Sequence, residues 1–207
     1  MSVHPHRNQN VLFKGDINSA KSAMILIHGR GANAESILSL SEEFEVNNYL
    51  FVAPQANHNS WYPYSFLAPV KDNEPGITSG LKVINDLIEK LNKSGFPDNE
   101  IILLGFSQGA CLTLEYAAGN AKPYKGIVGL SGGLIGDKLD EARYSGSFEN
   151  FPVFLGCSDI DSHIPLERVN QTETIMKKLN ASVTKRIYKN MGHTINEDEL
   201  NFIRSIL

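Results

Sequence analysis

Cysteine is scarce in this chain, with only Cys111 and Cys157 among 207 residues. Two thiols are too few for a disulfide framework, so a reduced, cytoplasmic protein is expected. Long apolar runs are missing as well. None approaches the ~20 residues of a membrane-spanning helix. The polar start MSVHPHRNQN has no signal-peptide core, and residues 1–10 read as a loose N-terminal tail. Basic charge is not in excess: 19 Lys and Arg stand against 23 Asp and Glu, a formal net charge of −4. That gives no electrostatic reason for a nucleic-acid partner or stable membrane association. Repeats, low-complexity segments and linkers are absent too.

What remains is an ordinary globular composition, 42% hydrophobic and 20% charged. A chain of this length suits one domain, 1–207, with one sizeable core. Short apolar runs alternate with segments of helical period. The runs are SAMILIH (22–28), YLFVAP (49–54), IILLGF (101–106), GIVGLSG (126–132), FPVFLGC (151–157) and the more exposed SVTKRIYK (182–189). Between them lie helices expected over 33–44, capped by Asn33, and over GITSGLKVINDLIEKL, QGACLTLEYAAG and 165–179. A last helix carries Asn196 and Glu199 in capping-box spacing. Residues 133–150 read as a surface excursion. The alternation predicts an α/β fold with a mostly parallel sheet and helices on both faces.

In such sheets ligands gather beyond the carboxyl ends of the strands. In chain order those ends deliver the glycine-rich HGRGA after residue 27, Ser107, the segment CSDIDSH, and His193. Ser, Asp and His in that order match a nucleophilic triad. A serine hydroxyl needs a base to act as a nucleophile. A sharp strand-to-helix turn exposes it, and only very small residues fit two positions before and after. Gly105 and Gly109 occupy those positions. The competing reading of Ser107 is a simple helix N-cap.

His193 is the candidate base, because it follows the acid and sits between the last strand and the last helix. His163 is its rival. A base must be neutral, so activity should fade on acidification. Asp159 and Asp161 both qualify as the acid that orients His193. Asp159 is preferred because it lies nearer the strand end; the alternative use of Asp161 is to cap the helix near Pro165, and the choice between the two stays open. The spacing of Asp159, Asp161 and His163 matches no strong metal motif, and no metal or organic cofactor is expected. Loop 55–75 holds Trp61, Tyr62, Tyr64 and Phe66. Trp61 and Tyr62 are the candidate substrate-binding residues, with Trp61 as pocket wall. The alternative is a hydrophobic cluster covering the sheet edge. Cys111 is read as packing, and the Arg30 side chain as solvated.

LIHGRGA, GFSQGACLTLEYA, FLGCSD and MGHTI resemble the phospholipase/carboxylesterase family of α/β-hydrolases, whose relatives include the acyl-protein thioesterases. The resemblance runs from about residue 22 to the end. It implies a compact α/β-hydrolase without a separate lid domain, cleaving carboxylic esters or thioesters by a serine mechanism. It also implies an oxyanion hole made by the backbone amides of Arg30 and Gln108. The family's acid loop reads Gly-x-x-Asp with Val-Pro shortly after. Counting from Gly156 selects Asp159, and counting back from Ile164-Pro165 selects Asp161. Arg30 stands where the thioesterases usually carry an apolar residue.

The expected function is thus a serine hydrolase acting on small to medium esters, as a monomer or weak homodimer. The alternatives are a lysophospholipase or acyl-thioesterase with a longer channel, an acyltransferase, and a non-catalytic small-molecule-binding protein.

Overall fold

The computed structural model describes residues 4–207, and residues 1–3 of the expected tail lie outside them. Seven strands form one sheet: β1 Val11–Lys14, β2 Ser22–Ile27, β3 Tyr49–Pro54, β4 Ile101–Phe106, β5 Gly126–Leu130, β6 Pro152–Ser158 and β7 Ser182–Tyr188. Their order is β1-β3-β2-β4-β5-β6-β7. Every pairing is parallel except β1 with β3. The helices are α1 Ala34–Leu38, α2 Gly76–Lys93, α3 Gln108–Gly119, α4 Leu166–Lys178 and α5 Glu197–Ile206.

Both faces are covered, which is why the central strands are apolar at every position. Successive residues of β2 go to opposite sides. Ala23, Ile25 and Ile27 join the cluster formed with α2, α3 and α4. Met24 and Leu26 join the cluster formed with α1 and α5. Helix α3, rich in small residues, is buried on all sides, so it can lie close against the sheet.

Four expectations change. β1 was not foreseen: two half-buried and two exposed residues at an antiparallel edge carry little periodic signal. The start of the chain is not loose from residue 4 onward. His6 is buried, its amide donates to Ser79 Oγ (3.1 Å), and the Gln55 amide donates to the Asn10 carbonyl (2.9 Å). Residues 133–150 are not a surface excursion either, because Leu134, Ile135 and Phe148 are fully buried. They are drawn in by a buried polar cluster. Glu115 of α3 accepts the Ile135 amide (2.9 Å) and pairs with Arg143. Arg168 of α4 donates to the carbonyls of Leu134 (2.8 Å) and Gly136 (2.7 Å). Buried charges of this kind need such partners. The expected helix over 33–44 is α-helical only to Leu38, and Ser39–Phe44 tightens into a 3-10 turn.

Both predicted N-caps form full capping boxes, Asn33 with Ser36 and Asn196 with Glu199. Glu199 has a second feature. It is fully buried over β6, where a Cβ on Gly156 would fall 2.1 Å from its Oε1. That oxygen has no hydrogen-bond partner. Burial pushes the Glu199 pKa up from 4.5 to about 7. The unfolded carboxyl therefore ionises first, and this residue costs stability progressively as pH rises from about 4.5 to 7. Glu199→Gln keeps the capping box and removes the ionisation. The melting temperature of the variant should gain on the wild type across that interval, and parallel curves would contradict the assignment.

Candidate active site

The parallel strands β2, β4, β6 and β7 end on one edge, and their following residues converge there. Ser107 sits between β4 and α3 with φ 57° and ψ −121°. A non-glycine residue at such angles is strained. A helix N-cap has extended angles and a side chain bonded to the first turn. Ser107 has neither, so the capping reading fails. The flanking glycines are required by contact: a Cβ on Gly109 would lie 2.1 Å from the Ile27 carbonyl oxygen, and one on Gly105 would lie 2.3 Å from that of Gly109.

The hydroxyl is free to face His193, whose Nε2 lies 2.8 Å from Ser107 Oγ. The other ring nitrogen, Nδ1, lies 2.7 Å from Asp161 Oδ2. An ionised carboxylate only accepts hydrogen bonds, so Nδ1 carries the proton and Nε2 accepts from the serine. The Phe106 ring packs beside the imidazole, with centroids 5.0 Å apart.

The acid in contact is Asp161, not the preferred Asp159. Asp159 is exposed, and its Oδ1 accepts the Asn190 amide at 2.9 Å. Its role is to fasten the end of β6 to the loop after β7. The Asp161 carboxylate is fully buried. Its Oδ1 accepts the amides of His163 (2.8 Å) and Ile164 (3.1 Å), which leaves Oδ2 aimed at His193. Burial raises the Asp161 pKa, but the bonds from His193, His163 and Ile164 outweigh it and hold the value below the ordinary 3.8. Turn closure and histidine contact thus use the two oxygens of one residue. His163, the rival base, is exposed and sits edge-on to His193 with centroids 5.0 Å apart.

Above Ser107 lies a cavity of about 430 Å³, lined by Arg30, Tyr62, Phe66, Phe106, Gln108 and Ile164 among others. Tyr62 lines it as expected. Trp61 does not: it is fully buried in the core, and its indole Nε1 donates to the His28 carbonyl at 2.9 Å. Cys111 borders the cavity, but burial pushes its thiol up to about 12, which leaves it a protonated packing group. The Arg30 side chain is not merely solvated. Its Nη1 donates to the Pro63 carbonyl (2.7 Å) and Nη2 to that of Tyr64 (2.6 Å). Gln108 opens α3, so its amide has no acceptor within the helix. Its side chain braces the aromatic loop, accepting from the Trp61 amide and donating to the Tyr62 carbonyl, both at 2.9 Å.

Two buried histidines hold this loop from behind. His28 Nε2 accepts the Ala56 amide (3.1 Å), and His6 Nδ1 accepts the Asn57 amide (3.0 Å). Their other nitrogens meet the carbonyls of Gly29 (2.8 Å) and Trp61 (2.9 Å). Both rings lie against the Trp61 indole. Each imidazole is therefore neutral with a fixed tautomer. Sequence reasoning missed His6, because its partners lie more than fifty residues away along the chain.

The family model for Phospholipase/Carboxylesterase matches residues 14–207. Acyl-protein thioesterase 1 of Kluyveromyces lactis is 29% identical, over 87% of this chain and 88% of that protein. Among solved structures, a phospholipase/carboxylesterase from Dyadobacter fermentans superposes with a TM-score of 0.94 at 39% identity, covering 99% of this chain and 97% of that one. Esterase PE8 superposes with a TM-score of 0.79 at 26% identity, covering 96% and 98%. The chain belongs to the phospholipase/carboxylesterase family of α/β-hydrolases and is an enzyme of the carboxylic-ester hydrolase type.

Burial lowers the pKa of His6 and of His28 below 6.5, against the opposing pull of their carbonyl partners. The unfolded chain therefore binds protons first on acidification. The stability these rings contribute is complete above about pH 6.5 and is lost as pH falls through the lowered values. Glu199 gives the opposite slope over part of this range, so the test is a difference. Thermal melts of wild type and His6→Ala should converge as pH falls from 7.5 to 5. A gap that stays constant would contradict the loss of the His6 contribution on acidification.

Proposed function

We propose that this enzyme is a serine esterase of small to medium acyl substrates, with Ser107, His193 and Asp161 as its triad. The observation that carries the reading is the continuous hydrogen-bonded line from Ser107 Oγ through both nitrogens of His193 to Asp161. Ser107 attacks the ester carbonyl while His193 Nε2 takes its proton. Asp161 keeps the proton on Nδ1 and stabilises the imidazolium that forms. The amides of Arg30 and Gln108 hold the oxyanion, where the positive end of α3 adds to the field. The imidazolium then protonates the departing alcohol or thiol. Water attacks the acyl-enzyme by the same route, and Ser107 is regenerated.

The cavity's size and its Tyr62, Phe66, Phe106 and Ile164 lining support acyl groups of modest length. An acyl-thioesterase is the second reading, favoured by the Kluyveromyces lactis relative. The exposed arginine at position 30 argues against a long lipid channel. We assign the enzyme to the cytoplasm, a reading supported by its two buried free thiols.

Intact mass after fluorophosphonate treatment should show one adduct on the wild type and none on Ser107→Ala. Asp161→Asn should lower kcat by roughly a thousandfold or more. Asp159→Asn should stay within a few-fold of wild type. A large loss for Asp159→Asn with Asp161→Asn unaffected would reverse the acid assignment.

A further inference from the structure

The cavity above Ser107 has one permanently charged side chain on its wall, and the charge is positive. Arg30 lines it, and among the described residues no aspartate or glutamate does. The contrast with the chain as a whole, at −4, is one of sign. Arg30 enters none of the ion pairs among the described residues. It is nevertheless fixed in place. The carbonyls of Pro63 and Tyr64 take one hydrogen bond from each terminal nitrogen, and the guanidinium carbon lies 5.9 Å from the Tyr62 ring centroid. Pro63, Tyr64 and Tyr62 all line the same cavity. Neutral carbonyls orient a guanidinium without cancelling its charge, and its remaining N–H donors are left for another acceptor.

We propose that the Arg30 guanidinium is a subsite for an anionic group, carboxylate or phosphate, carried by the ester substrate a few bonds from the scissile carbonyl. Acidic esters are then preferred over neutral esters of the same shape. The inference rests on the esterase reading of this site and names its substrate class. The screening length is ~8 Å at physiological salt, so an anion seated next to the guanidinium is attracted with little screening. A planar, bidentate donor suits both carboxylate and phosphate.

The experiment measures kcat/KM for two matched pairs. Monomethyl adipate against the methyl ester of adipic monoamide places the anion on the acyl side. Butanoylglycerol phosphate against its dimethyl phosphate triester, which keeps the phosphoryl group but carries no charge, places it on the alcohol side. At least one acidic member should be favoured about tenfold, the scale of a charge-assisted hydrogen bond at a part-exposed site. The pair that responds identifies carboxylate or phosphate as the source. The preference should shrink as salt is added, survive in part in Arg30→Lys, and vanish in Arg30→Met.

Only the ratio is diagnostic, because Arg30 also braces the loop and its amide serves the oxyanion. Equal rates within both pairs, or a preference that Arg30→Met retains, would overturn the subsite. Fluorophosphonate labelling of the same samples separates the two readings. Labelled enzyme without a preference disproves the subsite and leaves the esterase standing. Unlabelled, inactive enzyme disproves the esterase. Binding of the same pairs to Ser107→Ala, followed by NMR, then decides the subsite alone, with equal affinities counting against it.

Discussion

The site depends on how closely α3 approaches the sheet. Gly109 packs against the carbonyl oxygen of Ile27, and Gly105 against that of Gly109, at separations a single methyl group would violate. Only this approach lets the chain reverse at Ser107 with a positive φ and present its hydroxyl beyond the strand edge. The same approach brings the end of β2 beside the start of α3, so that a Cβ on Gly29 would lie 3.2 Å from the Cβ of Ser107. The strain at Ser107 is held by ordinary bonds on either side. Its amide donates to the Leu130 carbonyl (2.9 Å), and its carbonyl accepts the Cys111 amide (3.0 Å).

Around that turn, polar groups do most of the positioning. Gln108 holds the aromatic loop through backbone bonds, Arg30 ties down its next two carbonyls, and His6 and His28 each accept one of its amides. The Trp61 indole fills the space between them. Each bond alone contributes about 1 kcal/mol. Their value lies in direction, because a loop fixed at so many backbone points gives the cavity a defined wall. On the opposite side Asp161 does the same for His193, and Asp159 joins the two loops that carry them.

Much of this was legible in the sequence. The parallel sheet follows from apolar runs alternating with helical segments. Ser107 and His193 follow from what a strand-to-helix turn permits and from the order of strand ends. The acid was not separable: two aspartates stand two residues apart, and the closing turn decides which of them points inward. Distance from the strand end pointed to Asp159, whereas the carboxylate in contact with His193 is that of Asp161, the residue selected by counting back from Ile164-Pro165, and its other oxygen accepts the Ile164 amide. Trp61 could be read as wall or core, and the choice lay in His6 and His28, distant in the chain. The folding-in of 133–150 was hidden because Glu115, Arg143 and Arg168 read as surface charges until they are seen together.

The central claim is that Ser107 is a nucleophile facing an oxyanion site made by two amides. Its most direct test is a crystal structure of the fluorophosphonate-treated enzyme. Phosphorus should be bonded to Ser107 Oγ, with one phosphonyl oxygen about 2.7–3.1 Å from the amides of both Arg30 and Gln108. His193 should still bond Asp161. Phosphorus on another residue, or an oxygen turned to solvent away from both amides, would contradict it.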